Sequence, residues 1–516
     1  MKRVIVALIA AVGLVACGIE NPLSSGDSLK IVTATELKDM EPIIAQASEE
    51  LGFDIELSYP DGTIANSLAL KNGDFDRQYD ATWFATNKYV DLYGAGDKLQ
   101  ASTSIATSPI AFGVRADKAR ELGWNDKQPT WLEVSQAVKD KKFSYGMTDP
   151  ARSNSGFSAL VSVATAHADT GAALQMSDME KVNGPLRDFF AGQNLTSGSS
   201  GWLEEAFSAD PQRTDAIVNY ESVLLDMKSR MDIEVVVPAD GVVTADYPLA
   251  ALAEPSNDQA TAQVTKLGEW LQQHSQQIVD DTGRRPADPN ARPLAEHQRN
   301  PVIELPFPAR QDVADELVFA FANDLRRPAK TVFVLDQSGS MQGDRMQSLH
   351  TILTELVDGR AHTATGPVGL RNREEVSIIA FDSEVSRPIS GTYSTNNQRQ
   401  NQPLRDAIAG LVPGGQTAVY DALQSAYQQF PNSEGSIPSI VLMSDGATNT
   451  GATFEDFKKF HASLSPERRR IPVFIILYGE SNNAEMESLA DLTEGKTFDA
   501  TKGDLGSAFK EIRGYQ

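Results

Sequence analysis

The sequence predicts an α/β protein, and three observations carry that expectation. From Thr331 onward, short apolar runs at 331–335, 376–381, 439–443 and 472–477 alternate with helical patterns. Between the first two runs, Met346, Leu349, Leu353 and Leu356 fall at intervals of three, four and three residues, the apolar stripe of one helix. Strands this continuously apolar are buried on both sides, which predicts a central, mostly parallel sheet with helices on both faces. A second block, from 29 to about 275, also alternates strand-like and helix-like runs and forms a separate unit.

The start of the chain reads as an export signal. Lys2 and Arg3 precede an apolar run over 4–16, too short at 13 residues to span a bilayer as a helix. Leu14-Val15-Ala16-Cys17 resembles a bacterial lipobox, in which the cysteine is lipidated and becomes the first residue of the mature chain. That divides the N-terminus into a signal peptide, 1–16, and a lipidated tether, 17–28. Cys17 is the one cysteine of the chain, so the mature protein is expected to carry neither thiol nor disulfide in an oxidising compartment. The expected location is the cell envelope on the extracytoplasmic side, held to the membrane by the lipid alone. Gly18 stands where an Asp would resemble an inner-membrane retention signal, which in a Gram-negative cell favours the inner leaflet of the outer membrane. Losing Lys2 and Arg3 takes the formal charge from −24 to −26. Such an acidic chain repels nucleic acid.

In the N-terminal block a strand is expected at 29–34, a helix at 40–51 and a strand at 55–59. The turn Pro60-Asp61-Gly62-Thr63 then opens a helix through Leu68 and Leu70. Asp80-Ala81-Thr82-Trp83 ends the next strand, and 108–115 reads as a crossing strand. Ser153-Asn154-Ser155-Gly156 opens a long apolar helix, and 218–222 with 240–248 read as the return of a second lobe. In combination these segments resemble a type II periplasmic solute-binding protein, which implies a bilobal domain over 29–279 with a ligand cleft between its lobes. Ser153, Asn154 and Ser155 make a helix start whose backbone N–H groups suit an oxyanion or carboxylate. Thr63 repeats the device in the first lobe, so a small anion or polar solute can be held without Lys or Arg. Trp83 and Tyr220 are candidates for the cleft walls. Ordinary helix capping uses the same residue types, and every helix needs it. Trp124 and Trp131 read as packing within a lobe.

Residues 280–308 are rich in Pro, Arg, Asp and Asn, and include Arg284-Arg285-Pro286. They read as an extended linker, or as irregular chain laid over one domain. With a helical segment near 312–323 they form a linker and connecting helix, 280–330. The Arg-Arg-Pro triplets at 284–286 and 326–328 read as loop punctuation.

The last block carries the sharpest chemistry. The strand at 331–335 delivers Asp336 to its end, and Ser338 and Ser340 follow at spacings of two and four. Gly414-Gly415-Gln416-Thr417 places a hydroxyl at the mouth of a helix. Asp445 follows the strand at 439–443. Strand ends in such sheets are where ligands sit. Two carboxylates and three hydroxyls are hard oxygen donors, suited to Mg²⁺ or Mn²⁺ with some retained water. These residues resemble the von Willebrand factor A domain, whose metal-ion-dependent adhesion site matches Asp336, Ser338, Ser340, Thr417 and Asp445. The resemblance covers 331–516 and implies a Rossmann-like fold. It also implies a metal that captures a carboxylate from an unidentified protein ligand by ligand exchange. Asp, Gly and Ser are also ordinary strand-end caps and turn formers.

No nucleophile elbow or zinc-type cluster is present, and Glu494-Gly495-Lys496-Thr497 lacks the upstream glycine of a phosphate loop because Ala490 stands there. The expectation is therefore a binding protein rather than an enzyme. Two other readings stay open: a solute receptor of an uptake system with an accessory A domain, and an envelope assembly factor.

Overall fold

The computed structural model describes residues 28–516 apart from 361, 364, 365, 368, 432–434, 446, 447, 479–482, 501–507, 510, 511 and 513–516. The expected signal peptide, Cys17 and the expected tether up to Asp27 lie outside the described residues. Among those described, no helix is long and apolar enough to cross a membrane.

The N-terminal block is bilobal. In the first lobe the strands Ile55–Ser58, Leu29–Thr33 and Ala81–Trp83 run parallel, and Pro248–Leu252 lies antiparallel between Ala81–Trp83 and Leu99–Ser104. In the second, the order is Thr244–Ala245, Ala106–Arg115, Ala216–Tyr220, Tyr145–Thr148 and Gln193–Ser197, with Ile233–Val236 also paired to Ala106–Arg115. The chain therefore crosses between lobes at Ile105 and returns at Asp246 and Tyr247, giving a two-stranded hinge. The first crossing lies three residues ahead of the expected crossing strand 108–115, and the return lies within the expected segment 240–248. One continuous apolar core runs through both lobes.

The stretch 280–308 is not free linker. The helices Ala260–Gln273 and Ser275–Thr282 end at Gly283, whose φ of 67° is the left-handed value that glycine adopts freely. Arg285–Pro286 then pairs with Thr107 and Ala106 of the second lobe. Phe307 lies against Tyr89 of the first lobe and Phe157 of the second, with ring centroids 5.8 and 5.5 Å away. The helix Gln311–Ala320 and the π-helical turn Phe321–Leu325 place Val313, Leu317, Phe321 and Leu325 in the bilobal core. The arginines and prolines signal irregular backbone, and the irregular chain is laid over both lobes and held there by strand pairing and side chains.

The C-terminal module begins with Ala329–Asp336, two residues ahead of the expected start. Its sheet has the order Ile389–Thr392, Glu375–Phe381, Ala329–Asp336, Ile437–Ser444, Val473–Leu477 and Lys496–Asp499. All neighbours are parallel except the edge strand Ile389–Thr392. The strand period of two sends Phe333 and Leu335 to one face and Val332 and Val334 to the other. Each set joins a separate core: one with Met346, Leu349, Leu353 and Leu356, the other with Val419, Leu423 and Leu442. Both faces are covered, which is why the strands are apolar throughout.

Candidate functional site

Asp336 closes the central strand and is fully buried. One carboxylate oxygen accepts the Ser338 backbone N–H at 2.8 Å and the other accepts the Ser444 hydroxyl at 2.5 Å. The Ser338 and Ser340 hydroxyls are 3.0 Å apart. The loop carrying them is tied to the Thr417 loop by Gly339 N–H to Gly415 O (3.2 Å) and Gly414 N–H to Gln337 O (2.8 Å). Thr417 is itself buried, its N–H donating to Asn449 Oδ1 and its carbonyl accepting from Asn449 and Thr448. Asp445 is buried beyond the neighbouring parallel strand and accepts Arg345 at 2.9 Å. Burial raises the Asp336 pKa, and the Asp445 charge adds to the rise, while the hydrogen bonds from Ser338 and Ser444 oppose it.

All five expected donors thus sit on loops at one end of one sheet. Two confined carboxylates with hydroxyls beside them fit a hard divalent cation. Arg345, Ser444 and Asn449 were not singled out from the sequence. Ser444 directly precedes Asp445, and Arg345 follows the Ser340 loop by one short turn, so adjacency to the motif was the available signal.

The second candidate site lies between the lobes. The helix Thr63–Asn72 starts at Gly62, and a Cβ on Gly62 would come 2.7 Å from the Arg152 carbonyl, just ahead of the helix Asn154–Ala168. The two expected helix starts therefore meet across the lobes. Thr63 accepts the Ala85 N–H at 3.1 Å. Ser155 contacts Thr148, Ser153 and Ser200 hydroxyls at 2.9, 3.1 and 2.9 Å. Asn154 donates to the Tyr220 hydroxyl at 2.9 Å, and its buried Oδ1 has no hydrogen-bond partner among the described residues.

Trp83, an expected cleft wall, is fully buried at the end of its strand, and its indole N–H donates to the Tyr247 carbonyl at 3.1 Å, bracing the return crossing. An ionic group lies beside the return crossing. Arg284, fully buried, donates to Asp39 at 2.6 Å and to the Glu36 carbonyl at 3.0 Å, and lies 4.9 Å from the Tyr247 ring. Loss of solvent raises the Glu36 pKa, against the opposing pull of its backbone hydrogen bond and of Arg284.

Because Gly62 has an ordinary φ of −71°, alanine is resisted there only by the facing lobe. Gly62→Ala is expected to cost about 1–3 kcal/mol through overpacking and to spread the lobes. Solution scattering checks this; an unchanged radius of gyration would mean that the lobes do not close on this contact.

Residues 331–447 match the family model of the von Willebrand factor type A domain. The C-terminal module is called the A-type module from here on. The inter-alpha-trypsin inhibitor heavy chain H4 of Homo sapiens is 29% identical over 133 residues, and its Bos taurus counterpart 27% over 135. Each match covers 24% of this chain and 13% of the relative's length. Among solved structures, the periplasmic binding protein AfuA of Actinobacillus pleuropneumoniae is 14% identical over 58% of this chain and 99% of its own, with a TM-score of 0.47. A von Willebrand factor type A protein of Catenulispora acidiphila is 18% identical over 37% of this chain and 42% of its own, with a TM-score of 0.29.

Proposed function

We propose that this chain is an envelope lipoprotein that binds a protein partner through a Mg²⁺ or Mn²⁺ ion in its A-type module and a small anion or polar solute between its lobes. The observation that carries the first half is the convergence of Asp336, Ser338, Ser340, Thr417 and Asp445 on loops at one end of the parallel sheet. The ion would balance the two carboxylates and accept a carboxylate from the partner. This is binding by ligand exchange and needs no nucleophile or general base. The solute half is supported by two helix starts that face each other and by the unpaired, buried Asn154 Oδ1. The basic and apolar N-terminus with Cys17 at its end supports export and lipid anchoring. The bilobal body favours a second reading, that of a solute receptor in an uptake system with the A-type module as an accessory.

A thermal-shift panel tests both halves. Mg²⁺ or Mn²⁺ is expected to raise the Tm of the wild type and not that of an Asp336 variant. Sulfate, phosphate or a small carboxylate is expected to stabilise the wild type and the Asp336 variant alike, and to lose its effect in Asn154→Ala. Equal metal stabilisation in the wild type and the Asp336 variant would remove the metal assignment. An anion effect that survives Asn154→Ala would move the solute away from the cleft.

A further inference from the structure

The turn that delivers Ser153, Asn154 and Ser155 to the cleft is held from outside its own module. Asp149, buried just after the strand Tyr145–Thr148, organises that turn. Its Oδ1 accepts the Ala151 N–H at 2.9 Å, and its backbone carbonyl accepts the N–H groups of Arg152 and Ser153 at 3.0 and 2.9 Å. Its Oδ2 accepts Arg371 at 3.0 Å, from 222 positions along the chain. Arg371 precedes the strand Glu375–Phe381 of the A-type module, at the opposite end of the sheet from Asp336.

A line of alternating charge continues behind this pair. Glu374, buried beside Arg371, accepts Arg326 at 2.5 Å, and Arg326 ends the π-helical turn that packs in the bilobal core. Further contacts fall on the second lobe: Phe321 against Phe190 at 4.9 Å, Arg470 on Asp210 at 3.0 Å, and Glu494 on Arg213 at 3.2 Å. Apolar contact alone can hold two modules together. A confined ion pair adds a demand on geometry, because a charge left buried without its partner is strongly unfavourable.

We propose that Arg371 of the A-type module is a positioning residue for the cleft: through Asp149 it sets the turn 149–153, so the cleft is complete only when the A-type module is docked. This rests on the reading of the cleft as a solute site. The turn, in turn, supports the first lobe, since the Arg152 carbonyl is what faces Gly62. Burial pushes the Asp149 pKa up, but Arg371 and the Ala151 N–H outweigh it and hold the carboxyl below its usual range. Without Arg371 the buried carboxylate must take up a proton or admit water, and either loosens the turn.

Hydrogen exchange on the ligand-free full-length chain tests this, and because it uses no solute its outcome is separate from that of the anion panel. Arg371→Met is expected to speed exchange of the amides at 151–157 and 62–66 by about tenfold. Amides of Ile437–Ser444 and Val473–Leu477 should keep wild-type protection, and Arg371→Lys should restore most of the loss. Wild-type exchange at 151–157 in Arg371→Met would overturn the proposal. So would loosening that spreads evenly through both modules, or that the lysine does not rescue. Should Arg371→Met fail to fold, Asp149→Asn decides in its place. It keeps an acceptor for Ala151 and discards the charge, so the same local loosening is expected, and full protection overturns the proposal.

Discussion

Asp336→Ala is expected to erase a Mg²⁺-induced rise in Tm of about 5–10 °C. An ion present at a hundred times its Kd stabilises the folded state by about 2.7 kcal/mol. For a unit of 150–250 residues, each kcal/mol moves Tm by about 2–4 °C. Asp336 is the fully buried member of the donor set, so its charge gains most from a cation and is least offset by solvent. Alanine has a second effect that must be separated from the first. It leaves the Ser338 N–H and the Ser444 hydroxyl without their acceptor, at about 1–3 kcal/mol for a buried group, with or without metal. Asp336→Asn makes the separation, since its carbonyl can still accept from Ser338 while its charge is gone. The asparagine chain should start near the wild-type Tm in the absence of metal and, like the alanine chain, fail to respond to Mg²⁺. A response retained in Asp336→Asn would show that the ion does not depend on this carboxylate.

The candidate donor set was legible because its residues are local. Asp336, Ser338 and Ser340 lie on one loop, and the strands that aim Asp336 and Asp445 announce themselves by apolar runs. Parallel pairing then puts both strand ends on one edge without further information. The bilobal unit was legible for the same reason: its crossings fall where strand patterns end. What the sequence hid are pairings with no local spacing. Asp149 meets Arg371 across modules, and Arg284 reaches Asp39 over 245 positions. Trp83 was ambiguous because an aromatic residue at a strand end looks the same whether it lines a cleft or braces a hinge. The sequence gives no sign of the partner of its N–H, the Tyr247 carbonyl 164 positions away.

Arg285→Ala is expected to destabilise the bilobal unit by about 3–5 kcal/mol, the cost of breaking a buried ion pair from one side. In the sequence Arg285 belongs to a Pro/Arg-rich stretch that reads as connecting chain. In the structure its Nε and one terminal nitrogen grip both oxygens of Glu221, at 2.6 and 2.8 Å. Glu221 is 1% exposed and opens the helix Glu221–Lys228, next to Tyr220 of the cleft. The same guanidinium donates to the Asn300 carbonyl at 2.6 Å, and His297 contacts the Gly283 carbonyl at 3.0 Å, so residues 283–300 are fastened to the second lobe around one carboxylate. Alanine strands the Glu221 charge in the interior and frees that segment together. Lysine keeps the charge but not the two-pronged geometry, so Arg285→Lys should recover only part of the loss. The double variant Glu221→Gln with Arg285→Met should be less damaged than Arg285→Ala, because no charge is left buried alone. Urea unfolding followed by fluorescence of the five tryptophans, which the 516-residue sequence places only in the bilobal unit, measures all three. A loss below about 1 kcal/mol in Arg285→Ala would return 280–308 to the status of a linker, since surface pairs contribute no more than that.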